Sequence, residues 1–278
     1  MRQSGNPKLT LVGAGPGDPD LITVKGLKKL AEADVVLYDA LINKELLKYA
    51  PANSEKIFVG KRSGSHRFTQ NEINQMIVHY ARERGHVVRL KGGDPYIFGR
   101  GFEEYSFAVN HLIPVEVIPG ISSATGLSAT HHLPITLRSI SESFWVVTGT
   151  TKEGVFSKDI KIAAQSTATV IILMGMKKLS KIVRTYQTIS KGHYAVMIIQ
   201  NGTLENERVV IGNINSIENL VNEQRLSSPA IIIVGEVVDE TIPLIEENKR
   251  LLFSASPEEN RLINKKPKGA FSNVTINA

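Results

Sequence analysis

"LTLVGAGPGDPDLITVKGLKKLAEADVVLYDA", residues 9–40, decides how the chain is read. An apolar run closes on glycines, "TVKGLKKLAEA" (23–33) carries its apolar residues at helical spacing, and "DVVLYDA" (34–40) is apolar and β-branched again. Strand, glycine loop, helix and strand make the repeating unit of a parallel sheet covered by helices. The unit recurs outward through "EKIFVGK" (55–61), a longer helix in "TQNEINQMIVHYARERG" (69–85), "HVVRLKGG" (86–93) and "PVEVIPG" (114–120). Past Pro119 the spacing changes. "SFWVVTG" (143–149), "ATVIILMG" (168–175), "AVMIIQNG" (195–202), "ERVVIGNI" (207–214) and "PAIIIVGEVV" (229–238) read as a second sheet. The turn-like "GTLEN" (202–206) between two of these strands predicts a hairpin, and so a mixed sheet. The expected fold class is α/β, with an N-terminal lobe over 1–117 and a C-terminal lobe over 118–240. Residues 241–278, polar and without periodicity, read as a disordered tail.

Composition narrows the function classes. The chain has 278 residues, 42% of them hydrophobic and 22% charged, which is ordinary for a globular protein with a sizeable core. The net charge of +6 favours acidic ligands, but the basic residues form no stripe. There is no cysteine, which excludes thiolate nucleophiles and zinc–thiolate sites. No apolar run reaches the roughly 18 residues of a membrane span, and no apolar signal core follows the N-terminus. The cytoplasm is the expected compartment.

The predicted strands end in glycine-bearing loops: "GAGPGD" (13–18), "VGKRSG" (59–64), "LKGGDP" (90–95), "VIPGISSATG" (117–126), "LMGM" (173–176) and "QNGT" (200–203). Open α/β sheets bind ligands outside the carboxyl ends of their strands, and glycine lets backbone approach a ligand closely. The first loop is not a dinucleotide fingerprint. Asp18 stands where G-x-G-x-x-G needs its third glycine, and Pro16 and Pro19 keep the loop from running straight into a helix. "VGKR" also lacks the spacing of a phosphate-binding P-loop.

"LVGAGPGDPDLITVKGLKKLAEADVVLYDAL", "VGKRSG", "VVRLKGGDPYIFGRGFEE", "VIPGISSATG", "LPITLR" and "IIVGEVV", in that order from Leu9 to Val238, resemble the tetrapyrrole methylase family. The resemblance implies two α/β lobes with S-adenosyl-L-methionine in the cleft between them. It further implies a homodimer. The residues themselves point to no metal, since adjacent His131 and His132 rarely face one ion, and to no nucleic-acid or membrane partner, since there is no basic stripe and no apolar span. The implied reaction is two methyl transfers to carbon atoms of uroporphyrinogen III, giving precorrin-2 for sirohaem, cobalamin or haem d1 synthesis. Methylation of a later corrin intermediate, of a protein or of ribosomal RNA stands as the alternative. A binding protein without activity is the remaining class, and the intact glycine loops argue against it.

By resemblance, the methyl donor contacts Pro16, Gly92, Gly93, Asp94, Ile97, Ser122, Ser123, Met174 and Gly202. Asp39 matches the family's proposed general base and Lys61 its proposed proton donor. Arg100, Glu103 and Arg138 match substrate-side positions. The chemistry is consistent with these residue types. Gly92 and Gly93 give close access, and Asp94 can accept from an amine or a hydroxyl. Arginine grips carboxylates through a rigid fork and stays charged, which suits a carboxylate-rich macrocycle. Lys61, Arg62 and Arg67 add positive charge nearby. The plainer readings are a turn former for Pro16, core packing for Ile97 and Met174, a loop or cap residue for Asp39, and a surface ion pair for Arg100 with Glu103, three residues on. Ala40, Phe102, His131, His132 and Leu137 depart from the family pattern on the inferred substrate side.

Overall fold

The structure, a computed structural model, describes residues 6–60 and 68–254. Lys61, Arg62 and Arg67 lie outside the described residues. The first lobe holds β1 (Lys8–Gly13), α1 (Val24–Ala31), β2 (Val35–Tyr38), β3 (Glu55–Phe58), α2 (Gln70–Arg84), β4 (His86–Lys91), α3 (Gly101–Asn110) and β5 (Val115–Ile118). Its strands are all parallel, in the order β3-β2-β4-β1-β5. The helices begin where the local chemistry allows. Thr23 caps α1, its hydroxyl accepting from the Gly26 amide, and Thr69 and Glu72 form a reciprocal capping box on α2. Alternation along the strands buries two faces. Leu9, Leu11, Val35, Leu37 and Val87 pack against α2 and α3. Val12, Val36, Val88, Leu90 and Ile118 pack against Leu30 of α1 and the turn that carries Leu46.

The second lobe follows with α4 (Ser123–Thr130), β6 (Phe144–Thr148), α5 (Asp159–Gln165), β7 (Thr169–Leu173), α6 (Leu179–Thr188), β8 (Ala195–Gln200), β9 (Arg208–Asn213), α7 (Ile217–Glu223), β10 (Ala230–Val234) and α8 (Glu236–Ser254). Its order is β6-β7-β10-β8-β9. β6 and β7 run parallel, β10 is antiparallel to both β7 and β8, and β8–β9 is an antiparallel hairpin. The sheet is therefore mixed, as the short "GTLEN" connection predicts. One face packs on α5, α6 and α7 and the other on α4 and α8.

The chain departs from the expected tail at its near end. Helix α8 runs past residue 240, and Val237, Val238, Thr241 and Ile245 are buried along one side of it. These positions recur at three- and four-residue spacing, and Ile242 packs on the same core. Interleaved acidic residues and Pro243 hide that period in the sequence, since proline costs a helix interior one hydrogen bond. Residues 255–278 lie outside the described residues.

Candidate active site

The strand order fixes where a ligand can sit. The chain leaves β1 toward β2 and leaves β4 toward β5, so neighbouring β1 and β4 send their connections in opposite directions. Such a switch point opens a crevice at the carboxyl ends of the strands. The loops after β1 and β4 meet there: the Gly15 amide donates to the Gly93 carbonyl over 3.3 Å, and the Gly93 amide donates back over 2.7 Å. The loop after β5 closes against both. A Cβ on Gly13 would lie 2.5 Å from the Gly120 Cα, and one on Gly120 would collide with the Gly93 carbonyl. Gly93 sits at φ +66°, with nothing nearer than 3.8 Å to a Cβ there, and the nearest atom is the Ser123 amide. The loops thus form a bare backbone wall beside the first turn of α4, whose cap is Ser122.

The second lobe presents its own edge to this wall. β6, β7 and β8 point the same way, so the loops carrying Thr150, Met174 and Gly202 leave one side of the sheet. The lobes touch at Asp18, whose amide donates to Thr203 Oγ1 over 2.8 Å. Gly17 packs on the Gly202 carbonyl, Gly202 on Leu127 of α4, and Pro16 on Gly126. Glu207 holds this loop by accepting from the Thr203 amide at 2.6 Å, and His131 sits 3.1 Å from the same carboxylate. Met174 is half-exposed in a left-handed conformation (φ 55°), its carbonyl accepting from the Thr150 hydroxyl. It is not core. Pro16, Gly92, Gly93, Asp94, Ser122, Ser123 and Gly202 lie on touching loops, and Met174 projects from the parallel edge beside them.

Both carboxylate oxygens of Asp94 accept from backbone amides. Its Oδ1 accepts from the Tyr96 amide at 2.8 Å and its Oδ2 from the Gly120 amide at 3.0 Å. The carboxylate therefore ties the loop after β4 to the loop after β5. Ile97 is exposed on the same loop, against the core-packing alternative. Arg100, at φ 60° ahead of α3, closes its fork on Glu103 with contacts of 2.8 and 2.7 Å. Hydrogen bonding to Arg100 pulls the Glu103 carboxyl below its ordinary range, with Lys152 of the other lobe contributing. Exposed Arg138 follows α4 and forms no hydrogen bond or ion pair among the described residues, so it is not joined to this cluster.

Asp39 ends β2 beside a charge network that reading the sequence did not single out. Arg89 Nη2 donates to Asp39 Oδ1 over 2.5 Å, and Arg89 Nε to Glu104 Oε1 over 3.0 Å. Lys91 Nζ lies 2.9 Å from Glu104 and 3.9 Å from Asp39 Oδ2. Arg89, Lys91 and Glu104 are 2%, 3% and 0% exposed, whereas the Asp39 side chain is 28% exposed. Burial works against the Arg89 charge, but Glu104 and Asp39 more than offset it and raise its pKa. Burial, and then Arg89, hold the Lys91 ammonium below the ordinary lysine range. The available signal was "HVVRLK", in which Arg89 and Lys91 share with Val87 one face of an otherwise apolar strand. Lys61, the other residue of the catalytic assignment, falls outside the described residues.

A profile of the family described as Tetrapyrrole (Corrin/Porphyrin) Methylases matches residues 8–218, which spans both lobes. The chain belongs to the tetrapyrrole methylase family. Among relatives of this methylase, a uroporphyrinogen-III C-methyltransferase of Methanocaldococcus jannaschii is 47% identical over 84% of this chain and 97% of that protein. The crystal structure of a uroporphyrin-III C-methyl transferase from Thermus thermophilus complexed with S-adenyl homocysteine matches with a TM-score of 0.72 at 36% identity, covering 84% of this chain and 99% of that one. A cobalt precorrin-4 methyltransferase from cobalamin biosynthesis matches with a TM-score of 0.75 at 25% identity, covering 86% and 98%. Family members acting on different tetrapyrroles thus share one backbone, and side chains must separate their substrates.

The crevice of this methylase fits the methyl donor that the family implies. Glycine at 13 and 120 lets the loops after β1, β4 and β5 close on one another, side-chain-free backbone at Gly93 leaves room for a flat nucleoside edge, and exposed Met174 and Ile97 offer apolar contact. The Ser123 amide at the start of α4 suits a carboxylate or hydroxyl oxygen. Among the described residues, no group of three or more His, Asp or Glu could hold a metal, and no helix is long and apolar enough to cross a membrane.

Proposed function

We propose that this chain transfers methyl groups from S-adenosyl-L-methionine to carbon atoms of uroporphyrinogen III, twice, giving precorrin-2. The observation that carries this reading is the identity with the M. jannaschii enzyme, which runs through both lobes and nearly the whole of that protein. When bound, the donor supplies an electrophilic methyl on a sulfonium. The chain's own part is to hold both reactants. Pro16, Gly92, the open Gly93 backbone, Ser122, Ser123 and Gly202 form the donor's cradle, Asp94 keeps two of its loops in register, and Ile97 and Met174 flank it. Arg100 and Arg138 hold substrate carboxylates. For Arg100 this means exchanging Glu103 for the macrocycle, so Glu103 keeps the guanidinium aimed until substrate arrives. Asp39, half-open at the end of β2, takes the one proton that the macrocycle sheds for each methyl cation gained, and Lys61 stands at the family's proposed proton-donor position. Most of the acceleration comes from alignment of the two reactants. The homodimer rests on the family resemblance, as does the use of the product for sirohaem, cobalamin or haem d1, and the cytoplasm is the compartment expected from the sequence.

Incubation with methyl-labelled S-adenosyl-L-methionine and uroporphyrinogen III tests the reading. The expected outcome is two labelled methyls per macrocycle. The precorrin-4 methyltransferase, with the higher TM-score, supports a second reading in which a later corrin intermediate is the acceptor. Label entering such an intermediate while uroporphyrinogen III stays unmethylated would establish that reading instead.

A further inference from the structure

The buried charges around Glu104 carry an inference beyond the donor cradle. They number two positive and two negative, and only Asp39 reaches solvent. Glu104 Oε1 alone accepts from Arg89 Nε at 3.0 Å, Lys91 Nζ at 2.9 Å and Gln70 Nε2 at 3.1 Å. Arg89 also donates to the Leu37 and Leu90 carbonyls at the ends of β2 and β4. Four elements are thereby tied to one carboxylate: α2 through Gln70, α3 through Glu104, β4 through Arg89 and Lys91, and the end of β2 through Asp39. Buried ion sets rarely add stability over apolar packing of the same volume. The same face of the sheet is apolar one step down the strand, at Val87. The charges begin only where the sheet meets the crevice.

We propose that Glu104 and Lys91 are positioning residues. Glu104 acting through Arg89, and Lys91 both through Glu104 and directly from 3.9 Å, hold the Asp39 carboxylate in a single orientation, with Oδ1 bonded to Arg89 and Oδ2, beyond hydrogen-bond reach of Lys91, left for the acceptor. The inference rests on the methyl-transfer reading above for the role of Asp39, not for the geometry. The Lys91 and Glu104 side chains are 3% and 0% exposed, so replacing them should not remove a contact to the donor.

The test is the neutral pair Lys91→Met with Glu104→Gln, which removes one charge of each sign. The parent is assayed first, so a wrong acceptor shows as an inactive parent, and the variants are then compared on whichever tetrapyrrole the parent methylates. The expected result is a folded protein with S-adenosylhomocysteine affinity within about twofold by calorimetry. Its kcat should fall by about tenfold or more at nearly unchanged KM, the pattern of an interaction made in the transition state. In an Asp39→Asn background the same pair should cost less than about twofold, because residues acting through one group are not additive. Should the double variant not fold, Lys91→Arg keeps the charge while displacing the ammonium, and is expected to lower kcat partially at unchanged cofactor affinity. A folded double variant turning over at the parent rate would overturn the proposal, as would equal losses with and without Asp39 or a parallel loss of cofactor affinity.

Discussion

The two sheets bury different things. In the second lobe, both faces of β7, β8 and β10 are aliphatic, with Ile171, Ile172, Ile198, Ile199, Ile232 and Ile233 all sealed. Its buried polar side chains are hydroxyls: Thr169 and Ser141 bond to each other and to backbone, and the Tyr186 hydroxyl has no hydrogen-bond partner among the described residues. In the first lobe, β4 is aliphatic on the α2/α3 face only as far as Val87, then carries Arg89 and Lys91 against Glu104, between Leu11 of β1 and Leu37 of β2. The difference teaches a division of labour. On the proposed reading, the charges set around the proton acceptor are built into the first lobe, at the cost of desolvating them, and the second lobe contributes an apolar platform whose loops face the donor.

The strongest way to break this comparison is to remove the central cation. Arg89→Ala leaves Glu104 and Asp39 facing one lysine, and an uncompensated buried charge of this kind costs about 3–5 kcal/mol. By contrast, Ile198→Val in the second sheet should cost about 0.5–1.5 kcal/mol, because a methyl is lost and no charge is stranded. Urea unfolding of both variants measures the gap. If Arg89→Ala were no worse than Ile198→Val, water would already be solvating the charges and the contrast between the lobes would be false.

The fold was largely legible because it depends on period. Apolar runs closing on glycine set out the parallel sheet, and "GTLEN" announced the β8–β9 hairpin. The charge network depends on contacts that period does not encode. Glu104 lies 15 residues from Arg89 and Asp39 lies 50 from it. Only the order β2-β4 and the fold-back of α3 make them neighbours. The Asp94 tie to the Gly120 amide spans 26 residues and was hidden for the same reason. Arg100 and Glu103, three apart at the start of one helix, were readable as a pair, and the pair formed. Helix α8 beyond 240 was missed because sparse apolar residues among acids read as tail until a core is there to receive them.

The next effect in size sharpens the comparison at the rim of the crevice. Arg100→Ala and Arg138→Ala should each lower kcat/KM by about tenfold to a hundredfold, since a hydrogen bond to a charged group contributes about 1.5–3 kcal/mol. Lysine at either position should rescue only in part, because a point charge cannot form the fork. Cofactor affinity should hold in both. Asp94→Ala should do the reverse. Releasing the Tyr96 and Gly120 amides loosens the loop that faces the donor, so S-adenosylhomocysteine binding should weaken by about tenfold, the loss of one charge-assisted bond. Calorimetry and methylation kinetics on the same preparations separate the two patterns. Arginine variants that lose the cofactor while folded would erase the boundary between donor side and substrate side.

The smallest effect comes from ions of the same kind placed at the solvent edge of the same sheet. Glu116 on edge strand β5 meets Lys8 and Lys25 at 3.0 Å each and Lys29 at 3.8 Å. Hydrogen bonding from Lys25 and then Lys8 pulls its carboxyl down to about 2 from 4.5. A folded value below the unfolded one means that the contribution is complete above pH 4.5 and is lost as the pH falls toward 2. Water and salt screen this group, whose side chain is 29% exposed, so its worth is that of a surface network, about 1 kcal/mol or less. Glu116→Gln should therefore lower the thermal midpoint slightly at pH 7, less at pH 3, and less again at about 1 M salt, where the screening length shrinks to about 3 Å. Calorimetric scans of parent and variant under those conditions measure the difference. A loss at pH 7 as large as that of Arg89→Ala would mean that burial is not what separates the two charge clusters, and that the interior of the first lobe gains nothing from being dry.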